Sequence, residues 1–218
     1  MKGLLRDNFY ASYENEKVFF VVIFLVGIVL AVVCPGTMSV VTNYMLVCMG
    51  GFSYVSLDSL RKDSTCKWEK YKLTMPVTRT DIVKSRYMGH LLWVAAGVAC
   101  SGIPLGLFIL WQKFSFDLNT DLPLVYIAGV SISLFMGAIF FPLFYLCGEE
   151  RKEAVLVISI LLAVAVAAGL VALLNYLFGP GMSPTEIILS GLVLLACAVL
   201  TFGLSFLLTV KIFGRKGM

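Results

Sequence analysis

The sequence predicts an all-α, polytopic membrane protein with six transmembrane helices, on three observations. Of its 218 residues, 60% are apolar and only 14% charged, which leaves too little polar surface for a water-facing domain of this length. The apolar residues gather into six charge-free stretches of about 17–26 residues, each long enough to cross ~30 Å of hydrocarbon at 1.5 Å per residue. With the exception of Lys113, the cationic residues lie at the two ends of the chain and in alternate connections between those stretches. Helix is the open-ended solution, because hydrocarbon offers no partner to an unpaired backbone amide. No alternating, barrel-type pattern is present.

In chain order, residues 1–17 come first. Met1, Leu5, Phe9 and Tyr13 recur every fourth residue while Lys2, Arg6, Asp7, Glu14 and Lys17 take other faces. That spacing predicts an amphipathic helix lying along the inner membrane surface. The spans are then expected at Val18–Cys34, Met38–Leu57, Tyr87–Trp111, Leu122–Cys147, Ala154–Phe178 and Ile187–Val210. All Lys and Arg except Lys113 precede the first span, follow the last, or lie in the second and fourth connections. By the positive-inside rule, both termini and the long connection at 58–86 are cytoplasmic. The net charge of +4 therefore orients the chain in lipid, and no nucleic-acid partner is expected.

Trp93 and Trp111, toward opposite ends of the third span, suit aromatic belts at the two interfaces. The connections at 34–37 and 179–186 are short and rich in Gly and Pro, so they build no outer domain. The whole of 1–218 reads as one transmembrane domain. The six cysteines form no CxxC pair and at least three sit in apolar spans, where they act as small apolar side chains.

Residues 58–86 are the most patterned part of the sequence. Trp68, Tyr71 and Met75 fall at i, i+3 and i+7 among Lys67, Glu69, Lys70 and Lys72, the spacing of a short amphipathic helix with an aromatic face. Pro76 ends it. Thr78 and Asp81 stand three apart, like a capping box with a shortened acid, so a new helix is expected to begin near Arg79 and run into the third span. Spacing alone leaves two uses open for this surface, anionic lipid headgroups or a protein partner.

Asp63, Trp68, Glu69, Tyr71, the Pro76-Val77-Thr78-Arg79 step, Ile82-Val83 and Arg86-Tyr87 together resemble the small bacterial permeases of the ABC-2 type. In place of the Leu usual before that proline stands Met75. The resemblance implies that the 58–86 connection is a coupling helix that docks on a separate cytoplasmic ATPase. Trp68, Glu69 and Tyr71 would be its docking residues, with Thr78, Arg79 and Asp81 shaping the turn. It also implies a second permease copy, as a homodimer or a similar heterodimer, since six unduplicated spans form half a pathway. ATP and Mg would belong to the partner subunit, with no cofactor in this chain.

What the sequence lacks points the same way. There is no GxxxxGK[ST] loop to cradle ATP, and no Asp, Glu, Lys or Arg within an expected span, which disfavours an ion-coupled carrier. The single histidine, His90, is expected near the inner interface as a polar residue rather than as a ligand. Small-residue pairs at Gly102/Gly106 and Ala165/Gly169 suit helix packing within the subunit. Asn43, Tyr44, Ser131, Ser133, Asn175 and Tyr176 either line a polar path or bond between helices. The expected function is the permease subunit of an ATP-driven exporter in the plasma membrane, for an amphipathic peptide or lipid-like cargo. The alternative is a non-transporting immunity or sensor subunit that holds its ligand.

Overall fold

The computed structural model describes residues 18–30, 38–65, 78–112, 121–147, 151–179 and 183–215. Among them the elements are α-helices and no strand occurs. In chain order they are α1 (Val18–Leu30), α2 (Met38–Thr65), α3 (Arg79–Gln112), α4 (Asp121–Cys147), α5 (Lys152–Phe178) and α6 (Pro184–Arg215). Segments of α2, α5 and α6, and the whole of α4, are long and apolar enough to cross a membrane. The first expected span appears as the shorter apolar helix α1, its last residues lying outside the described ones. The third lies inside α3, which is 34 residues long. The expected interfacial helix at 1–17 lies outside the described residues.

Helix α4 is the hub. Its span is 61% buried, against 28% for α5 and 22% for α6, and it packs against α2, α3, α5 and α6. Its composition allows this. From Ser131 to Phe141 nearly every residue is apolar or small, and almost all are buried, as expected of a helix with neighbours on all sides. In lipid, close van der Waals packing rather than expulsion of water holds helices together, and small residues permit it. A Cβ at Gly129 would run into Met49 Sδ, and one at Gly137 would come within 2.6 Å of His90 Nε2.

The outer helices bury one stripe each. On α5 it is Val155, Leu156, Ser159, Ala163 and Ala167; on α6 it is Gly191, Leu194, Ala198, Phe202, Ser205 and Thr209. Their other faces carry rows of exposed branched residues such as Leu161, Val164, Leu200 and Leu204. Apolar surface that continuous belongs against lipid, not water.

Three expectations are corrected. Trp93 is not an interfacial belt residue. It is 4% exposed and stacks on Phe20 of α1 at 5.3 Å with planes 8° apart, because this face of α3 is turned to α1 and to Phe52 of α2, 6.2 Å away. The Ala165/Gly169 pair does not pack inside the subunit: Ala165 is exposed, and no described atom lies within 4 Å of a Cβ built on Gly169. The connection expected over 58–86 is also shorter. α2 continues to Thr65 and α3 resumes at Arg79, and Asp58 and Arg86 are buried in helices instead of solvated.

Candidate coupling site and the polar core behind it

The head of α3 is built by Thr78. Its carbonyl accepts from the amides of Asp81 (3.0 Å) and Ile82 (3.3 Å), and its hydroxyl accepts from the Asp81 amide at 3.2 Å. That hydroxyl donates in turn to the Asp81 carboxylate at 2.6 Å. A full capping box returns the acid to the backbone amide of the cap; here the shorter Asp reaches the cap's hydroxyl instead. The acid also lies where the helix N-terminus carries partial positive charge. Arg79 is the first helical residue. Trp68, Glu69 and Tyr71, the other expected docking residues, lie outside the described residues.

Nine residues past the cap, α3 enters a buried hydrogen-bond cluster. Pro142 stands inside α4 and has no N–H to give the carbonyl of Ala138 one turn back. Ser205 of α6 donates its hydroxyl to that carbonyl at 2.6 Å. Thr209 gives its proton to its own helix, at the Ser205 carbonyl 2.8 Å away. The Tyr87 hydroxyl of α3 lies 2.8 Å from Ser205 Oγ and 2.9 Å from Thr209 Oγ1. With one proton per hydroxyl, that of Tyr87 bridges these two oxygens. Thus α3, α4 and α6 are tied at one point, beside the rings of Phe141, Phe202 and Phe206.

A second cluster lies one turn deeper. His90, expected as a polar interface residue, is instead fully buried among the helices. Its Nε2 faces the Ser133 carbonyl at 3.1 Å and so carries the proton. The same carbonyl accepts from Ser53 Oγ of α2 at 3.3 Å, and Ser133 Oγ donates to the Met49 carbonyl at 3.3 Å. Gly137 leaves the space that the imidazole fills, between Phe141 and Phe202. Of the six polar residues considered for a path, Ser133 and Tyr44 bond between helices, Tyr44 to the Ile23 carbonyl at 3.0 Å. Ser131 and Asn43 bond within their own helices, and Asn175 and Tyr176 line a cavity.

A family model described as ABC-2 family transporter protein matches residues 3–214. The chain belongs to that family. It is a membrane permease subunit of an ABC transporter, a transport component that is not itself catalytic, and membership implies association with ABC ATPase subunits. Neither a curated protein nor a solved structure matches the chain.

In this ABC-2 permease, sequence reading overlooked the Tyr87–Ser205–Thr209 cluster. Its only local trace is a proline inside an apolar span, which orphans one carbonyl and so calls for a hydroxyl from elsewhere. A capping box also starts α6, and its signal is local. Ser183-Pro184-Thr185-Glu186 has the S-x-x-E spacing with proline at the first helical position. In the structure Glu186 accepts from the Ser183 amide at 2.7 Å, and Ser183 Oγ accepts from the Glu186 amide at 3.4 Å. α6 accordingly begins three residues before the expected Ile187.

Proposed function

We propose that the protein is the six-span permease half of an ATP-driven exporter in the plasma membrane. Both termini and the 66–77 connection face the cytoplasm, residues 1–17 lie along the inner surface, and a second permease copy completes the pathway. The ATPase is a separate cytoplasmic subunit that holds ATP and Mg. Trp68, Glu69 and Tyr71 dock on it, while Thr78, Arg79 and Asp81 fix the turn that follows. The cargo is an amphipathic peptide or a lipid-like molecule, in keeping with spans that carry few charges.

The observation that carries this reading is the continuity of α3. One 34-residue helix, about 51 Å long at 1.5 Å per residue, begins at the Thr78 cap beside the docking segment. The same helix holds Tyr87 and His90, which bond to α6 and α4. From the cap to His90 that helix holds no proline, so motion imposed at the cap is delivered to the bundle's hub through unbroken turns. In an ATPase–permease complex reconstituted in liposomes, Trp68→Ala and Glu69→Lys are expected to remove most permease-dependent stimulation of ATP hydrolysis while membrane insertion is unchanged. Wild-type stimulation in both variants would remove the docking assignment.

A further inference from the structure

A cavity of about 950 Å³ lies between the beginning of α4, the end of α5 and the beginning of α6. It arises from the packing stripes. The buried stripe of α5 runs out at Ala167, while that of α6 holds from Gly191 to Thr209. α5 therefore parts from α6 toward the 179–183 connection, and a gap opens over Ile127 and Ala128 of α4. Its size is at the upper end of small-molecule sites, about 300–1,000 Å³.

The lining states what fits. Its walls are hydrocarbon, chiefly Leu and Ile side chains, and among the described residues no Asp, Glu, Lys or Arg contributes. Three polar side chains interrupt them, Asn175, Tyr176 and Ser190. Ser190 Oγ spends its proton on the Ile187 carbonyl at 2.7 Å, so it offers a ligand only lone pairs. Among the described residues the Asn175 side-chain amide has no hydrogen-bond partner; it keeps two donors and a carbonyl acceptor. Asn175 and Tyr176 are exposed at the mouth of the cavity; a charged headgroup there would meet no counter-charge among the described lining residues, whereas a neutral group that both donates and accepts would meet complementary partners.

We propose that this cavity binds an uncharged amphiphile, its hydrocarbon body against α4 and a hydroxyl- or amide-bearing head at Asn175 and Ser190. The reading of such a molecule as cargo rests on the exporter proposal; its binding does not. A membrane lipid of the same chemistry is the other source.

The test uses the full chain in phosphatidylcholine nanodiscs and two photoreactive probes with identical diazirine-bearing chains, a neutral diacylglycerol and the anionic phosphatidic acid. The neutral probe is expected to label 171–176 and 187–194 and to be displaced by untagged diacylglycerol. Asn175→Leu should weaken that labelling about three- to tenfold, the worth of one or two lost hydrogen bonds. Ala128→Phe, which fills the gap from the α4 side, should abolish it. Equal labelling by both probes along the outward faces of α5 and α6, or undiminished labelling in Asn175→Leu, would overturn the proposal. In the ATPase complex, faster hydrolysis on adding untagged diacylglycerol identifies cargo, and unchanged hydrolysis with labelling retained identifies a resident lipid; both keep the site. If no ATPase associates, the exporter reading fails while the labelling still decides the cavity.

Discussion

At the level of single residues, the polar atoms of the bundle are placed where the backbone needs them. Pro142 orphans the Ala138 carbonyl and Ser205 satisfies it at 2.6 Å. Ser205→Ala is therefore expected to cost about 1 kcal/mol, the scale of a buried bond lost in a membrane protein, read as a lower Tm in detergent. Pro142→Ala restores an N–H to that carbonyl, so it should stabilise the Ser205→Ala protein more than the wild type. Additive effects would show that the two residues are not coupled. Gly137→Ala sets two effects against each other. Alanine favours a helix interior by roughly 0.5–1 kcal/mol, but its Cβ would lie 2.6 Å from His90 Nε2 and 3.0 Å from Phe202 Cε2. Overpacking of that kind costs about 1–3 kcal/mol, so the net change is expected to be destabilising, and a Tm at or above wild type would contradict the packing described. A proline in a span is visible in the sequence, but the hydroxyl that serves the Ala138 carbonyl is 67 residues from it along the chain and only the fold brings it near. His90 was misplaced for the same reason: the void that receives it is made by a glycine on another helix.

Among the elements, helix starts were legible because their signals are local. Thr78 and Asp81 announced α3, and the start at Arg79 agrees. The end of α2 was misread: the charges after Leu57 suggest a loop, yet the helix continues to Thr65 with Asp58 and Leu60 buried. A charged residue ends a span but need not end a helix. Thr78→Val removes both hydroxyl bonds of the cap, a loss of about 1 kcal/mol. Hydrogen exchange of the Asp81 and Ile82 amides should quicken about fivefold, and ATPase stimulation should fall with it, whereas Thr78→Ser should keep both near wild type. Unchanged exchange in Thr78→Val would show that α3 does not depend on this cap.

For the molecule as a whole, composition dictated the solvent. The exposed apolar rows of α5 and α6 and the membrane-length helices follow from charge-free stretches that could be read directly. What composition could not supply was the order of packing, because the hub α4 is the least hydropathic of α4, α5 and α6, and Gly129 and Gly137 let its neighbours approach closely. Family membership over residues 3–214 makes the chain one part of a larger machine, and its proposed role requires an ATPase partner. The most direct test is a mild-detergent pull-down of the tagged full-length protein from its native membranes, read by mass spectrometry. A roughly stoichiometric cytoplasmic ATPase bearing a phosphate-binding Walker motif is the expected result. Its reproducible absence, with the permease intact and monodisperse, would contradict ATP-driven export through this chain.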